Sequence, residues 1–330
     1  MKIKLLATLF LSIFIFTVIG CTDKDENEIS STENNLTKLK KIGIMTYVSH
    51  EILDTILDGI MTELKRIGYS KDQIVIYNAN GEMDKVHSFA KEMTTSNFDV
   101  LIPITTPVSQ AVVKSAKGKI PVVYSFVSDP NSVGVKSKTE KPHNVTGISD
   151  IINYHSNLKL IRDLLPNSKK IGMIYNSGES NSVLGIKQCR LLAEKFHFKI
   201  EEVSVVSTAE VLNAARMIAD KIDAFYVIGD NTVVGAIASV IKVGREKMIP
   251  VFASDSGSVQ LGACAAFSVN YKKFGKVTAE IADRVLNGDN INAIEPLMYE
   301  GNSLIVNKSA LSFFNVTIPT KIISNIEEEF

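Results

Sequence analysis

Short runs rich in Val, Ile and Tyr, bounded by Pro and Gly, alternate along this chain with longer stretches of mixed apolar and polar residues. Short continuous apolar runs suit strands buried on both faces, and the longer stretches suit helices, so the pattern predicts βαβ units around parallel sheets. From residue 41 the expected order is a strand at 41–45, a helix over about 52–67 and a strand at 74–77. Gly68 should stop that first helix, as a C-terminal glycine does. A helix over about 84–95, a strand at 100–104, a helix opening at "TTP" and a strand at 121–126 follow. Strands near 170–175, 199–206, 224–228 and 250–253, separated by three helices, repeat the series.

The repetition extends to the letters. "KKIGIMTY" begins at residue 40 and "KKIGMIYN" at 169, while "IPVVYSFVSD" begins at 120 and "IPVFASD" at 249, each pair 129 positions apart. "FDVLIPITTPVSQA" from Phe98 and "IDAFYVIGDNTVVGA" from Ile222 share the same strand-to-helix form. Two similar α/β lobes are therefore expected. Chain crossings between them are expected in "NVTGISD" (144–150), in "AAFSVNY" (265–271) and in "NSLIVNKSA" (302–310), with a helix to about Asn287 returning to the first lobe. Lobe one then comprises 41–147 plus about 271–300, and lobe two comprises 148–270 plus about 301–330.

The chain's 330 residues agree with two domains at the usual ~150 residues each. Lys+Arg and Asp+Glu both number 36, so no net field favours nucleic acid as a partner. Cys21, Cys189 and Cys264 form no CxxC pair, and the latter two sit in apolar surroundings suited to buried thiols. Residues 1–21 have a basic start (Lys2, Lys4) and an apolar run over 5–19, the make-up of a signal peptide. Its end, "VIGC" at 18–21, resembles a bacterial lipobox, which implies an acylated Cys21 anchored in a lipid bilayer. The polar segment 22–40 is expected to be a flexible tether, placing the folded body outside the cytoplasm.

Ligands of open parallel sheets bind beyond the carboxyl ends of the strands. Lobe one places Thr46, Tyr47, Ser49, His50, Thr105, Thr106, Ser109, Gln110, Ser128 and Asp129 there, with Asp150 at the end of "NVTGISD". Lobe two places Asn176, Ser177, Glu179, Asn181, Ser182, Asp230, Asn231, Ser254, Asp255 and Ser256 there. Hydroxyls, amides and carboxylates abound, and Lys and Arg are missing. A phosphate or dicarboxylate usually requires basic clamps, whereas converging carboxylates suit a ligand carrying an amino group. The helix start at Thr106 can hold one carboxylate without a basic side chain, so the set suits a zwitterionic amino acid. Read one at a time, Asp129, Asp230, Asn231 and Thr106 are equally ordinary helix caps.

At "TPVSQA" (106–111), "IPVVYSFVSDP" (120–130), "NVTGISD" (144–150), "IGMIYNSGESNS" (171–182), "DNTV" (230–233) and "IPVFASDSGSVQLGA" (249–263) the chain resembles a known family. It is similar to the substrate-binding lipoproteins of ABC transporters in the tryptophan/tyrosine-binding group. The resemblance implies a type I periplasmic-binding-protein fold: two Rossmann-like lobes closing by hinge motion on an aromatic amino acid. It also implies a monomer and a membrane permease as partner. Around His50 the chain reads Ser49-His50-Glu51, where relatives carry an acidic residue before the His and Pro after it. The ligand carboxylate is expected at residues 106–110 with Ser128, and the ammonium at Asp255 or Asp230. Tyr47 should border the side chain, and His50, Glu179 or Asn181 should read a phenolic OH or indole NH.

Other functions find less support. GxSxG, HExxH, Walker A and GxGxxG patterns are absent, and the histidines at 50, 87, 143, 155 and 197 are scattered, so neither an enzyme nor a cofactor is expected. His50 with Glu51 or Asp129 falls short of the three or four ligands of a zinc site. A sensor lipoprotein signalling to a membrane receptor would use the same cleft, and a membrane-anchored hydrolase is the remaining alternative.

Overall fold

The computed structural model describes residues 39–137 and 139–330. Cys21, the signal segment and nearly all of the expected tether lie outside the described residues. No helix among the described residues is long and apolar enough to cross a membrane.

The first part of the chain runs β1 (Ile42–Thr46), α1 (Glu51–Ile67), β2 (Ile74–Asn78), α2 (Met83–Thr95), β3 (Val100–Pro103), α3 (Thr106–Ala116), β4 (Val122–Val127) and β5 (Val145–Ile151). The second part continues with α4 (Tyr154–Leu164), β6 (Lys170–Asn176), α5 (Ser180–Ala193), β7 (Lys199–Val205), α6 (Val211–Ala219) and β8 (Ala224–Val227). It is completed by α7 (Asn231–Gly235), α8 (Ile237–Lys247), β9 (Val251–Ala253), α9 (Ser256–Gln260) and β10 (Ala265–Ser268). The chain then returns to the first lobe with α10 (Tyr271–Leu286) and β11 (Leu297–Glu300), and ends on the second with β12 (Ser303–Val306), α11 (Lys308–Phe313), α12 (Thr320–Ile323) and β13 (Ile326–Glu329).

Six parallel strands form the first sheet, in the order β11-β5-β4-β3-β1-β2. The second lobe holds a parallel sheet ordered β7-β6-β8-β9 and a three-stranded sheet ordered β10-β12-β13. β1, β3, β8 and β9 are buried at every residue, which is why they read as unbroken apolar runs rather than as alternating ones.

One expectation needs moving. A lobe boundary between residues 147 and 148 falls inside β5, which pairs with β4 and β11 through Ile148, Ser149, Asp150 and Ile151. Gly147, which suggests a linker in the sequence, serves packing instead: a Cβ there would lie 2.1 Å from the Tyr124 carbonyl oxygen. The first crossing therefore follows Ile151. It is tied to the third crossing, where Gly301 N–H donates to Ile151 O (3.2 Å) and Asn153 Nδ2 donates to Glu300 Oε1 (3.0 Å) and Asn302 Oδ1 (3.2 Å).

The return of α10 to lobe one depends on close helix packing. Ile52, Leu53, Ile56, Ile60 and Leu64 make the buried face of α1, and α10 crosses it where two glycines meet. A Cβ on Gly59 would stand 2.5 Å from Lys272 O, and one on Gly275 would stand 2.1 Å from Ile56 O. Both are backbone obstacles that cannot rotate away. Gly275→Ala is expected to force the helices apart and cost ~1–3 kcal/mol of unfolding free energy in urea titrations. An unchanged midpoint would contradict this packing.

Candidate functional site

The ends of the strands from both lobes enclose one cleft. Its walls include His50 after β1, Thr106 after β3, Phe126 and Ser128 at the end of β4, and Asp150 in β5. Opposite stand Asn181 after β6, Gly229, Asp230 and Asn231 after β8, and Ser254 and Asp255 after β9. Ile52, Ile152, Val234 and Tyr271 complete the lining. The cleft spans about 410 Å³, part of it open to solvent.

Eight of the fourteen principal candidates thus share this wall: His50, Thr106, Ser128, Asp150, Asn181, Asp230, Asn231 and Asp255. The other six stand elsewhere. Tyr47 packs its ring in lobe one and donates its OH to Gly81 O (2.9 Å), with its hydroxyl end near Thr232, Glu179 and Asp230 of lobe two. Gln110 reaches between the lobes, donating from Nε2 to Ser180 Oγ (3.1 Å) and to Ser132 O (3.1 Å). Asp129 caps the short turn after β4 through Asn131 N (2.9 Å). Asn176 and Glu179 knit lobe two internally: Asn176 Nδ2 donates to Thr232 Oγ1 (2.8 Å), and Glu179 accepts from Thr232 Oγ1 (2.7 Å), Asn231 Nδ2 (2.5 Å) and two backbone amides. Ser182 is buried beside Asn181, accepting from its Nδ2 at 3.3 Å.

Six wall residues escape sequence reasoning because they have no polar side chain or lie at a crossing: Ile52, Phe126, Ile152, Gly229, Val234 and Tyr271. Phe126 has φ 56°, a left-handed backbone that aromatic residues rarely adopt, and it sits where the β4–β5 register shifts. The bulge turns its ring to the cleft, edge-on to Tyr271 at 5.5 Å. No local sequence signal announces a bulge at a non-glycine residue. Ile152 faces Gly229 so closely that a Cβ on Gly229 would lie 2.2 Å from its Cδ1, so the glycine makes room for lobe apposition.

The electrostatics of the wall are one-sided. Asp150, Asp230 and Asp255 are each at most 4% exposed, and no Lys or Arg lines the cleft. Asp230 accepts from Val233 N (2.8 Å) and Asn176 N (2.6 Å), and Asp255 accepts from Ser258 N (2.6 Å) and Ser258 Oγ (2.8 Å). Asp150 has no such donor among the described residues. Burial, then the charge of Asp255 in the opposite lobe, pushes the Asp150 carboxyl up to about 7. Burial raises Asp255 to about 6 against the pull of Ser258, and burial with the Glu179 charge raises Asp230 to about 7. His50 Nε2 and Asn181 Oδ1 are also buried without hydrogen-bond partners among the described residues.

A cleft between two α/β lobes, walled by polar and apolar side chains from both, is a place where such folds bind small solutes. Residues 41–329 match the family model described as ABC transporter substrate binding protein, and the chain belongs to this family. Members bind rather than catalyse, and they work outside the cytoplasm. The chain is 34% identical over 299 residues to the tyrosine-binding protein of Clostridioides difficile, covering 88% of this chain and 86% of that one. A domain solved in complex with L-Trp, from Streptococcus pneumoniae, has a TM-score of 0.83 at 28% identity, over 88% of this chain and 99% of its own. A ligand-free, open substrate-binding protein with adhesive properties from Clostridium difficile scores 0.62 at 32% identity, over 88% of this chain and 98% of its own.

The raised carboxyl values give closure a pH dependence. Their values in the closed cleft lie above the ordinary ~3.9 of Asp, so protonation stabilises the closed form at low pH, and this contribution is lost as pH rises through about 6 to 7. With no ligand added, small-angle scattering should give a smaller radius of gyration at pH 5 than at pH 8, and Asp150→Asn should shrink the difference. A radius independent of pH in the wild type would contradict this.

Proposed function

We propose that the protein captures an α-amino acid with an aromatic side chain for an ABC importer, working as a lipoprotein anchored through Cys21. The observation that carries the ligand class is Asp150: a buried carboxylate with no hydrogen-bond donor among the described residues, facing the buried Asp255 of the other lobe. Two such groups without a cation are costly, and an ammonium between them offsets the cost of both. The ammonium partner is thus Asp150 with Asp255, rather than the Asp255 or Asp230 of the sequence expectation. The ligand carboxylate belongs at the start of α3, where Thr105 caps the helix without a side-chain hydrogen bond and leaves the first amides available. Phe126, Tyr271, Ile52 and Val234 supply an apolar border for a ring. The names of the tyrosine-binding relative and of the L-Trp complex support this reading. A ligand ammonium between the two carboxylates favours lobe closure, which makes the liganded closed form a signal for a permease.

In a thermal-shift survey of amino acids, sugars and nucleosides, an aromatic amino acid should stabilise the protein by ~2.7 kcal/mol at about 100 times its Kd. Asp150→Asn should weaken that binding by about 30-fold or more. Stabilisation by sugars or nucleosides alone would refute the assignment.

Attachment has its own check. Cys21→Ser should move the protein from the membrane to the soluble fraction, and unchanged partitioning would remove the lipoprotein reading.

A further inference from the structure

The buried ring of His50 stands at the opposite end of the lobe-one wall from Asp150. Nδ1 accepts from Leu53 N (3.5 Å) as the N-cap of α1. The ring proton then belongs on Nε2, which lines the cleft as a buried donor without a partner. Val234 and Gly257 are among the lobe-two residues that share its surroundings. Burial holds the imidazole down at about 4, so it is neutral at physiological pH.

The sheet provides a ruler. β5, which carries Asp150, is separated from β1, which leads to His50, by β4 and β3. Three strand spacings of ~4.8 Å make ~14 Å. Subtracting two hydrogen bonds of ~2.8 Å leaves ~8–9 Å for a ligand reaching from one group to the other. That is about the length from the α-nitrogen of an aromatic amino acid to a hydroxyl at the far edge of its ring. Thr106, which opens α3 after β3, and Ser128, directly after β4, lie where the α-carboxylate would fall, and Phe126 on β4 lies beside the ring.

We propose that His50 is a specificity-determining residue, its Nε2–H donating to an oxygen at the distal end of the ligand side chain. Hydroxylated rings are thereby selected over the same ring without a hydroxyl. This rests on the amino-acid reading above and narrows it. A ligand lacking the oxygen would leave a buried donor unpaired, and sites built to hydrogen-bond a hydroxyl reject the deoxy analogue strongly.

Calorimetric titration with L-tyrosine and L-phenylalanine tests the proposal. The wild type should bind tyrosine about 10- to 100-fold more tightly. His50→Asn keeps a side chain suited to capping α1 but is too short to reach the ligand, and it should bring the tyrosine-to-phenylalanine ratio close to one. Circular dichroism and the melting curve establish that the variant folds. A ratio unchanged in His50→Asn, including an equal loss for both ligands as expected if His50 held the α-carboxylate, would overturn the proposal. Equal wild-type affinities would overturn it while leaving the amino-acid reading intact, whereas failure of both ligands to bind would overturn both.

Discussion

The closed arrangement of this protein turns on an electrostatic imbalance. Carboxylates from two lobes are buried at one cleft, and no basic side chain lines it. Two of them are provided for: Asp230 and Asp255 each accept from donors within lobe two. Asp150 is not, and it meets Asp255 only because the lobes have come together. Burying a carboxylate costs several kcal/mol even after relaxation. Apposition therefore penalises the empty pairing and favours a cation between the two groups, which couples capture to closure without any separate switch.

The rest of the fold holds these charges at a fixed separation while leaving the hinge free. Each lobe is a parallel sheet whose central strands are wholly buried, so its loops are displayed from a stiff base. The α1–α10 crossing at Gly59 and Gly275 ties the returning chain to lobe one, and the Ile151–Gly301 and Asn153–Asn302 hydrogen bonds bind two crossings to each other. Away from these crossings, Gln110 to Ser180 is a single exposed hydrogen bond between the lobes. Such a contact adds little and breaks readily. Gly229 contributes by omission, since any side chain there would strike Ile152 before the lobes met.

Much of this was legible in the chain. Strands buried on both faces write themselves as apolar runs, and the 129-residue echo of "KKIG" and "IPV" marked two lobes. The polar cleft residues were legible for a related reason, since Asp, Asn, Ser and Thr directly after a strand have little else to do than cap a helix or face a ligand. Sequence could not separate those two tasks. Glu179 and Asp129 turned out to serve their own neighbourhoods, and Asp150 had no capping role at all. Phe126 and Ile152 were invisible because an apolar residue in a bulge or at a crossing carries no pattern.

The central claim is that a ligand ammonium bridges Asp150 and Asp255, and replacing that ammonium tests it most directly. An aromatic amino acid and its α-hydroxy-acid counterpart share ring, carboxylate and shape, differing only in whether the α-substituent carries a positive charge. Isothermal titration of both against the wild-type protein should show the hydroxy acid bound at least about 30-fold more weakly, as expected when a buried charge loses its partner. Equal affinities would contradict the claim.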